Sequence, residues 1–517
     1  LIRDGGALLL VAFVLLWPAL YNGQPFFFPD TTAYLRGADA GIQKFTHHPT
    51  AWSAPAEVEH GNDGDLHAQP GAIGGESLPS PKSPASVSSV TGKTVLAGRS
   101  PYYGALLYLG ELSGGFWLSI YVQGFSALVA IAFVLRAAGA PIWPSLPIMG
   151  LILAATTSLP FYASMLMPDL FAAVTILSCS TLIATRATLP RLDYVVWFIL
   201  LGVALIFHDT HKLITVAMLA LGIAWNLRCG WANWRGLATV VLALCLSAVA
   251  QLAFDFGVTR LVGAPPLHPP FLVARLIDDG PGYRYLKATC PDNGFVVCQY
   301  LDRLPMNADR FLWATGDAPG VFAEAPPEIK RRLAEEQFPF LLKVLRYDPV
   351  GVASIALRNA RQQLTMTGLT EFLYTDEERN YFEHKVPAEH LRALRRSAAY
   401  TGAVPIDRLS TIDAGLMAAA VVLLAFALLR KDAAVIRARS SFAASVAAWI
   451  LAGMFVNGAI CGMLSGPHDR YSARVLWLLP FAVLLITREI WLNRFFSKAT
   501  STSNLSRGQG GELQRNA

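Results

Sequence analysis

Ala7-Leu-Leu-Leu-Val-Ala-Phe-Val-Leu-Leu-Trp-Pro-Ala-Leu-Tyr21 opens the chain as an apolar run, and Pro25-Phe-Phe-Phe-Pro-Asp30-Thr-Thr-Ala-Tyr34 follows within a few residues. The run is long enough to enter a bilayer. No small-residue cleavage site succeeds it, only the bulky Gln24 to Phe28, so it is expected to remain as an uncleaved anchor. The chain begins at Leu1 rather than Met, so a few residues are expected to precede it. Asp30 then falls just beyond the first membrane crossing.

The rest of the sequence extends this pattern. Of 517 residues, 54% are hydrophobic and only 15% charged, and the mean hydropathy is +0.42. Soluble domains carry about 25% charged residues, so this chain is expected to live in lipid rather than as soluble domains. Apolar spans are read at about 7–22, 115–136, 143–160, 169–185, 194–207, 213–227, 236–254, 412–429, 442–464 and 473–487. Several fall short of the roughly 20 residues of a perpendicular crossing, and flanking polar residues or local thinning are expected to complete them.

The loops between these spans alternate in charge. One set holds Arg136, Arg186, Arg191, Arg228, Arg235, Arg430, Lys431, Arg437, Arg439, Arg488, Arg494 and Lys498, almost without acid, and reads as cytoplasmic. The other holds Asp30, Asp169, the island His208-Asp-Thr-His-Lys212 and Pro467-His-Asp-Arg470, and reads as external. The net charge of +6 follows from this bias and does not point to nucleic acid. The fold class expected is an all-α polytopic bundle of about ten spans with both termini inside.

The organisation expected is a transmembrane region over 1–254 with an outer loop at 23–114, an outer helical unit over 255–411, further spans over 412–487 and a cytoplasmic tail over 488–517. Within the first loop, 53–98 is rich in Gly, Ser, Pro and Ala, cannot bury enough apolar area to fold alone, and is expected to be mobile. Leu106 to Leu112 reads as a short interfacial helix. In the second loop, Pro326 to Arg346, Pro349 to Leu364 and Ala388 to Ala398 have helical periodicity. Cys290 and Cys298 lie there, where an oxidising exterior favours a disulfide. A zinc site is not completed by a further Cys or a close His. Cys179, Cys229, Cys245 and Cys461 are expected to be reduced.

Four groups on the outer side carry the candidate chemistry. Asp30 either starts a helix or faces a cleft as a general base on a hydroxyl; the two roles are compatible. Asp169 follows Pro168 at the mouth of a span, as a cap or as a costly acid that needs a partner. His208 and His211 with Lys212 exceed what a turn requires; they suit a phosphate, a carboxylate or a divalent cation, although i, i+3 is not the stronger metal spacing. Arg470 and Arg474 are four apart, so a helix there puts two guanidinium forks on one face, suited to phosphate or pyrophosphate. The alternatives for these two are pairing with Asp469 and snorkelling toward headgroups. Arg36, Arg99 and Arg275 are lesser phosphate candidates. No Gly-x-x-x-x-Gly-Lys-Ser/Thr loop and no dinucleotide fingerprint occurs, so no nucleotide cofactor is implied.

Taken together, the spans, the first-loop acid and its neighbours resemble the GT-C superfamily of polytopic glycosyltransferases, among them protein mannosyltransferases and the aminoarabinose transferases of lipid A. The resemblance rests on Phe28-Pro-Asp30 with Tyr34, on Arg99-Ser-Pro-Tyr-Tyr103 where the first loop returns, and on Asp169, Arg470 and Arg474 further along. It implies a multi-pass protein of a bacterial inner membrane that moves a sugar from a polyprenyl-phosphate carrier to an acceptor glycan, lipid or protein on the extracytoplasmic side. Asp30 is then the catalytic acid residue of the first loop. The lone acid, where some members have an Asp-Glu pair, and the insert at 53–98 depart from the superfamily pattern. A large late outer loop is also similar to O-antigen ligases and polymerases. From other classes, a lipid or sugar transporter or flippase would need ionisable groups near the midplane and broken helices in related halves. A membrane acyltransferase would need a His on the basic side, and a non-catalytic assembly protein would need none of these groups.

Overall fold

The computed structural model describes residues 2–47, 50–53, 93–185, 188–229, 233–315, 319–429 and 441–491. Most of the insert 53–98 and the basic residues Arg186, Arg430, Lys431, Arg437, Arg439, Arg494 and Lys498 lie outside them. The described residues are all-α, with two isolated backbone bridges in place of a sheet. Six helices are long and apolar enough to cross a membrane: Gly5–Asn22, Trp117–Ala137, Asp209–Cys229, Trp234–Val262, Ile406–Phe426 and Phe442–Leu464. Ile142–Thr156 and Leu170–Ala184 are shorter apolar helices. Their outward faces carry Leu242, Val249, Leu252, Phe256, Val421, Val422 and Phe426 in the open, as a multi-pass membrane protein requires.

The helix Leu170–Ala184 is the axis of the bundle. Every one of its residues is buried, and it packs against Trp117–Ala137, Arg191–Phe207, Asp209–Cys229, Trp234–Val262, Phe442–Leu464 and Asp469–Leu476. A helix apolar all round belongs inside such a bundle. Most of its hydroxyls are satisfied locally: Thr175, Ser178 and Thr181 each donate to the carbonyl four residues back at 2.7–2.8 Å, while Ser180 Oγ has no partner among the described residues.

Two expected spans are broken, and proline explains both. The run 143–160 ends as a helix at Thr156, and Leu159–Ala163 starts afresh. The run 473–487 ends at Leu476, turns at Trp477 and resumes over 478–491. Pro160 and Pro480 lack the N–H that would bond the carbonyls of Thr156 and Leu476. Elsewhere helices run longer than expected: Trp234–Val262 continues past 254, and Asp209–Cys229 begins inside the polar island.

The first loop is built on helices Pro29–Thr46 and Pro101–Leu112. The second of these starts earlier than Leu106 because Ser100 caps it, accepting from the Tyr103 N–H at 3.4 Å. A backbone bridge fixes the loop to the approach of the axial helix: Phe26 N donates to Ser164 O and Leu166 N to Phe26 O, both at 2.9 Å. This carries Asp30 toward Asp169. The returning strand of the loop pairs with Leu267, through Ala97 N to Leu267 O and Leu267 N to Val95 O at 2.8 Å.

The second loop is helical, including Pro327–Tyr347, Pro349–Thr365 and Ala388–Leu394. Its two halves pack differently. Residues from Val273 to Val344 form their own apolar cluster, while Leu369, Phe372, Tyr374, Phe382, Leu394 and Ile406 join the main core. Cys290 and Cys298 in the first half are bonded, with Cα atoms 5.6 Å apart.

Gly104 sets the spacing of the two first-loop helices, because a Cβ there would lie 2.4 Å from the carbonyl oxygen of Tyr34. Replacing Gly104 by Val therefore forces the helices apart. The expected cost is about 1–3 kcal/mol, read as a lower thermal transition of the detergent-solubilised protein. An unchanged transition would show that the helix pair is not held at this contact.

Candidate functional site

Asp30 lies in the first turn of Pro29–Thr46, a position favourable for negative charge. The capping contact is made next door: Thr31 Oγ1 accepts from Phe28 N at 3.0 Å and donates to Leu166 O at 3.0 Å. Asp30 is thus released from capping, and its Oδ1 accepts from Arg99 Nη2 at 2.5 Å. Both side chains retain about a quarter of their exposure. Arg99 sits just before the capped start of Pro101–Leu112, which explains how residues 69 apart in sequence meet.

Asp169 is the residue before Leu170–Ala184 and is buried. Its Oδ1 takes a hydrogen bond from Arg474 Nη1 at 3.1 Å and lies 3.8 Å from Arg470 Nε. The expected helix does form over Asp469–Leu476 and puts both guanidiniums on one side. They are used differently. Arg474 is 1% exposed; its Nη2 donates to Asn457 Oδ1 at 3.0 Å and lies 3.3 Å from Cys461 Sγ. It ties Phe442–Leu464, Asp469–Leu476 and the axial helix together, so neither snorkelling nor a free phosphate fork describes it.

Arg470 is the freer of the two. Its guanidinium stacks 4.4 Å from the ring of Phe28 and 5.0 Å from that of Tyr471. Its Nη1 is buried with no hydrogen-bond partner among the described residues. The anticipated pairing with Asp469 is not made, because Asp469 instead accepts from Gly368 N at 2.9 Å and Thr370 Oγ1 at 3.1 Å.

Tyr34 lies between these groups. Burial holds its phenol above the usual range, and Arg99, Asp30, Asp169 and Arg470 all act on it. Asp30 also acts on Arg470, and Arg470 on Arg99. The first-loop acid and the late arginine therefore share one buried electrostatic environment.

The polar island contributes in part. His208 is the extended residue between two helices, so it does not share a helical face with His211. The rings are nonetheless 5.2 Å apart. His211 Nδ1 donates to Ala204 O at 2.7 Å, and its Nε2 is buried without a partner. His208 is near enough to feel Arg99, Arg470 and Arg474. Lys212 turns to Asp209 at 2.7 Å instead of joining the cluster. Arg36 and Arg275 have protein partners: Arg36 donates to Lys385 O at 2.7 Å, and Arg275 pairs with Asp278 and Asp279. Among the described residues, Glu111, Glu389 and His390 bring three possible metal-ligand atoms within 4.8 Å of one another. His390 there is stacked on Trp52 and bonded to Glu111 at 2.7 Å.

No protein-family model, curated protein or solved structure matches this chain.

Sequence reasoning missed Glu371. It stands in Gly368-Leu-Thr-Glu-Phe-Leu-Tyr374 between amphipathic helices, and its one signal is an acid set among apolar residues. Phe372 beside it packs on Phe26, Phe161 and Tyr162 at 5.0–5.3 Å. Burial raises the Glu371 carboxyl to about 7, against the pull of Arg470.

The Asp169–Arg474 pair makes a clear prediction. Arg474→Ala leaves a buried carboxylate without its main partner and should lower stability by about 3–5 kcal/mol. Arg474→Ala combined with Asp169→Ala should cost less than the two single changes summed. Thermal unfolding in detergent across the four proteins measures this, and strict additivity would refute the coupling.

Proposed function

We propose that this chain is an integral-membrane glycosyltransferase that moves a sugar from a polyprenyl-phosphate carrier to an acceptor hydroxyl, at the extracytoplasmic face of a bacterial inner membrane. In this reading the bundle has about ten crossings, with both termini inside. The observation that carries it is the convergence of a partly exposed carboxylate, Asp30, with Arg99 and the partly unpaired Arg470. A base for a hydroxyl and a cation for a leaving phosphate are the two chemical needs of such a transfer.

The step balances on these residues. Asp30 takes the proton of the acceptor hydroxyl as its oxygen bonds to the anomeric carbon. The bond from that carbon to the phosphate oxygen breaks, and the electron pair leaves with the carrier phosphate. Negative charge grows on that phosphate in the transition state, where a buried guanidinium stabilises it most. Arg470 fills this role, with Arg99 released from Asp30 as the latter becomes protonated. Arg474 and Asp169 position Arg470 through the short helix they anchor. Tyr34 and His208 orient the acceptor or the carrier head. A divalent cation is not required for the step as written.

Transfer of radiolabelled sugar from a polyprenyl-phosphate donor by the purified protein tests the proposal. Asp30→Asn keeps the side-chain shape and should reduce transfer by about 10²–10⁴-fold while leaving the unfolding transition in place. Full activity in that variant would defeat the assignment of the base.

A further inference from the structure

The segment that carries Glu371 is anchored on both sides of it. Thr370 Oγ1 and Gly368 N bind the carboxylate of Asp469, the neighbour of Arg470. Phe372 is wedged among Phe26, Phe161 and Tyr162. The segment therefore belongs to the same junction as Asp30 and Asp169. The Glu371 carboxylate is half-buried and takes no hydrogen bond among the described residues. Nearby, Arg470 Nη1, Arg474 Nε and Tyr162 Oη are buried without partners. Unsatisfied polar atoms gathered in one buried place are costly unless a ligand or water completes them.

The groups acting on Glu371 come from several elements around it; Ile406–Leu429, which also packs on this turn through Leu369 N to Ser410 Oγ at 3.1 Å, carries Asp407, Arg408 and Asp413. Arg470 and Asp469 lie on Asp469–Leu476, Asp169 precedes the axial helix, and Glu378 lies on Asp376–Lys385. Tyr162, on Leu159–Ala163, feels Glu371 in turn. Arg470 is the sole cation that acts on Glu371 in this set, and three acids oppose it. An ionised Glu371 would compete with any anion for Arg470. A protonated one would leave the guanidinium free and offer an O–H donor beside it.

We infer that Glu371 is a proton-operated competitor for Arg470, which admits a monoanionic phosphodiester to that guanidinium only when Glu371 carries a proton. This rests on the carrier-phosphate reading of Arg470, because a sugar joined to a polyprenyl phosphate is such a diester. The proton comes from solvent as the ligand binds and returns as it leaves; no covalent bond changes. The carboxyl, raised by burial to about 7, is largely protonated at pH 6 and largely ionised at pH 8.

Dihexyl phosphate is a suitable probe, since a dialkyl diester keeps one negative charge across this range. Its affinity for the full-length protein in detergent should fall about tenfold from pH 6 to pH 8, as the competent fraction falls. Glu371→Gln should hold the pH 6 affinity throughout. Titration calorimetry in buffers of different ionisation enthalpy adds a test on the unaltered protein: close to one proton taken up per diester at pH 8, and almost none below pH 6. Binding that is flat with pH, or that occurs without proton uptake, would overturn the competitor role and leave the carrier reading standing. A pH slope retained in Glu371→Gln would also overturn it. No binding at any pH would remove both.

Discussion

A carboxylate sealed at the head of a fully buried helix has few stable arrangements, and Asp169 adopts one of them. Bringing its charge out of water is tolerable only with a cation in hydrogen-bonding contact. Arg474 provides that contact at 3.1 Å, from a short helix late in the chain. The same arginine is bonded to Asn457, and Asn457 Nδ2 donates to Tyr471 O at 2.6 Å. One buried charge thus fixes the meeting of three helices. Arg470, four residues before Arg474, has its position dictated by this anchor and is left with a donor to offer.

The two long loops meet through polar contacts to backbone and hydroxyl groups, beside the His390–Glu111 contact and the Arg36 bond to Lys385 O. Phe27 N donates to Tyr374 Oη at 2.8 Å, Ala399 N to Asn22 Oδ1 at 2.8 Å, and Thr32 and Tyr381 share a hydrogen bond of 2.8 Å between their hydroxyls. Such contacts hold the second loop to the first without neutralising Asp30 or Arg470. The charges stay available while their setting is rigid, as a preorganised site requires.

Much of this was legible in the residues themselves. Apolar runs located the long apolar helices, and the i, i+4 spacing of Arg470 and Arg474 was realised as a helical face. The acid after the opening run, the Arg99 return and Asp169 were all singled out, and they do converge. What the sequence did not disclose was the division of labour. Nothing in the spelling of His468-Asp-Arg-Tyr-Ser-Ala-Arg474 tells which guanidinium faces a carboxylate and which an aromatic ring, because that depends on a partner some 305 positions away. Pro160 and Pro480 stand in apolar runs whose composition alone reads as unbroken spans. Glu371 was passed over because its raised proton affinity arises from burial, which no local pattern records. His208 and Lys212 looked like parts of one motif, but a helix start at Asp209 separates them.

The axial helix has fifteen residues, a rise of about 22 Å at 1.5 Å per residue. The hydrocarbon layer is about 30 Å deep. A rod so short, wrapped on all sides by protein, cannot reach both surfaces, so at least one of its ends is recessed. A hydrophilic head group tethered to a long tail would find such a well at its own depth, with the tail still lying among neighbouring acyl chains. A water-borne reactant would have to descend to meet it. Were the acid at the recessed end, the shortness of one helix would sort the two reactants of the proposed transfer by the route each takes.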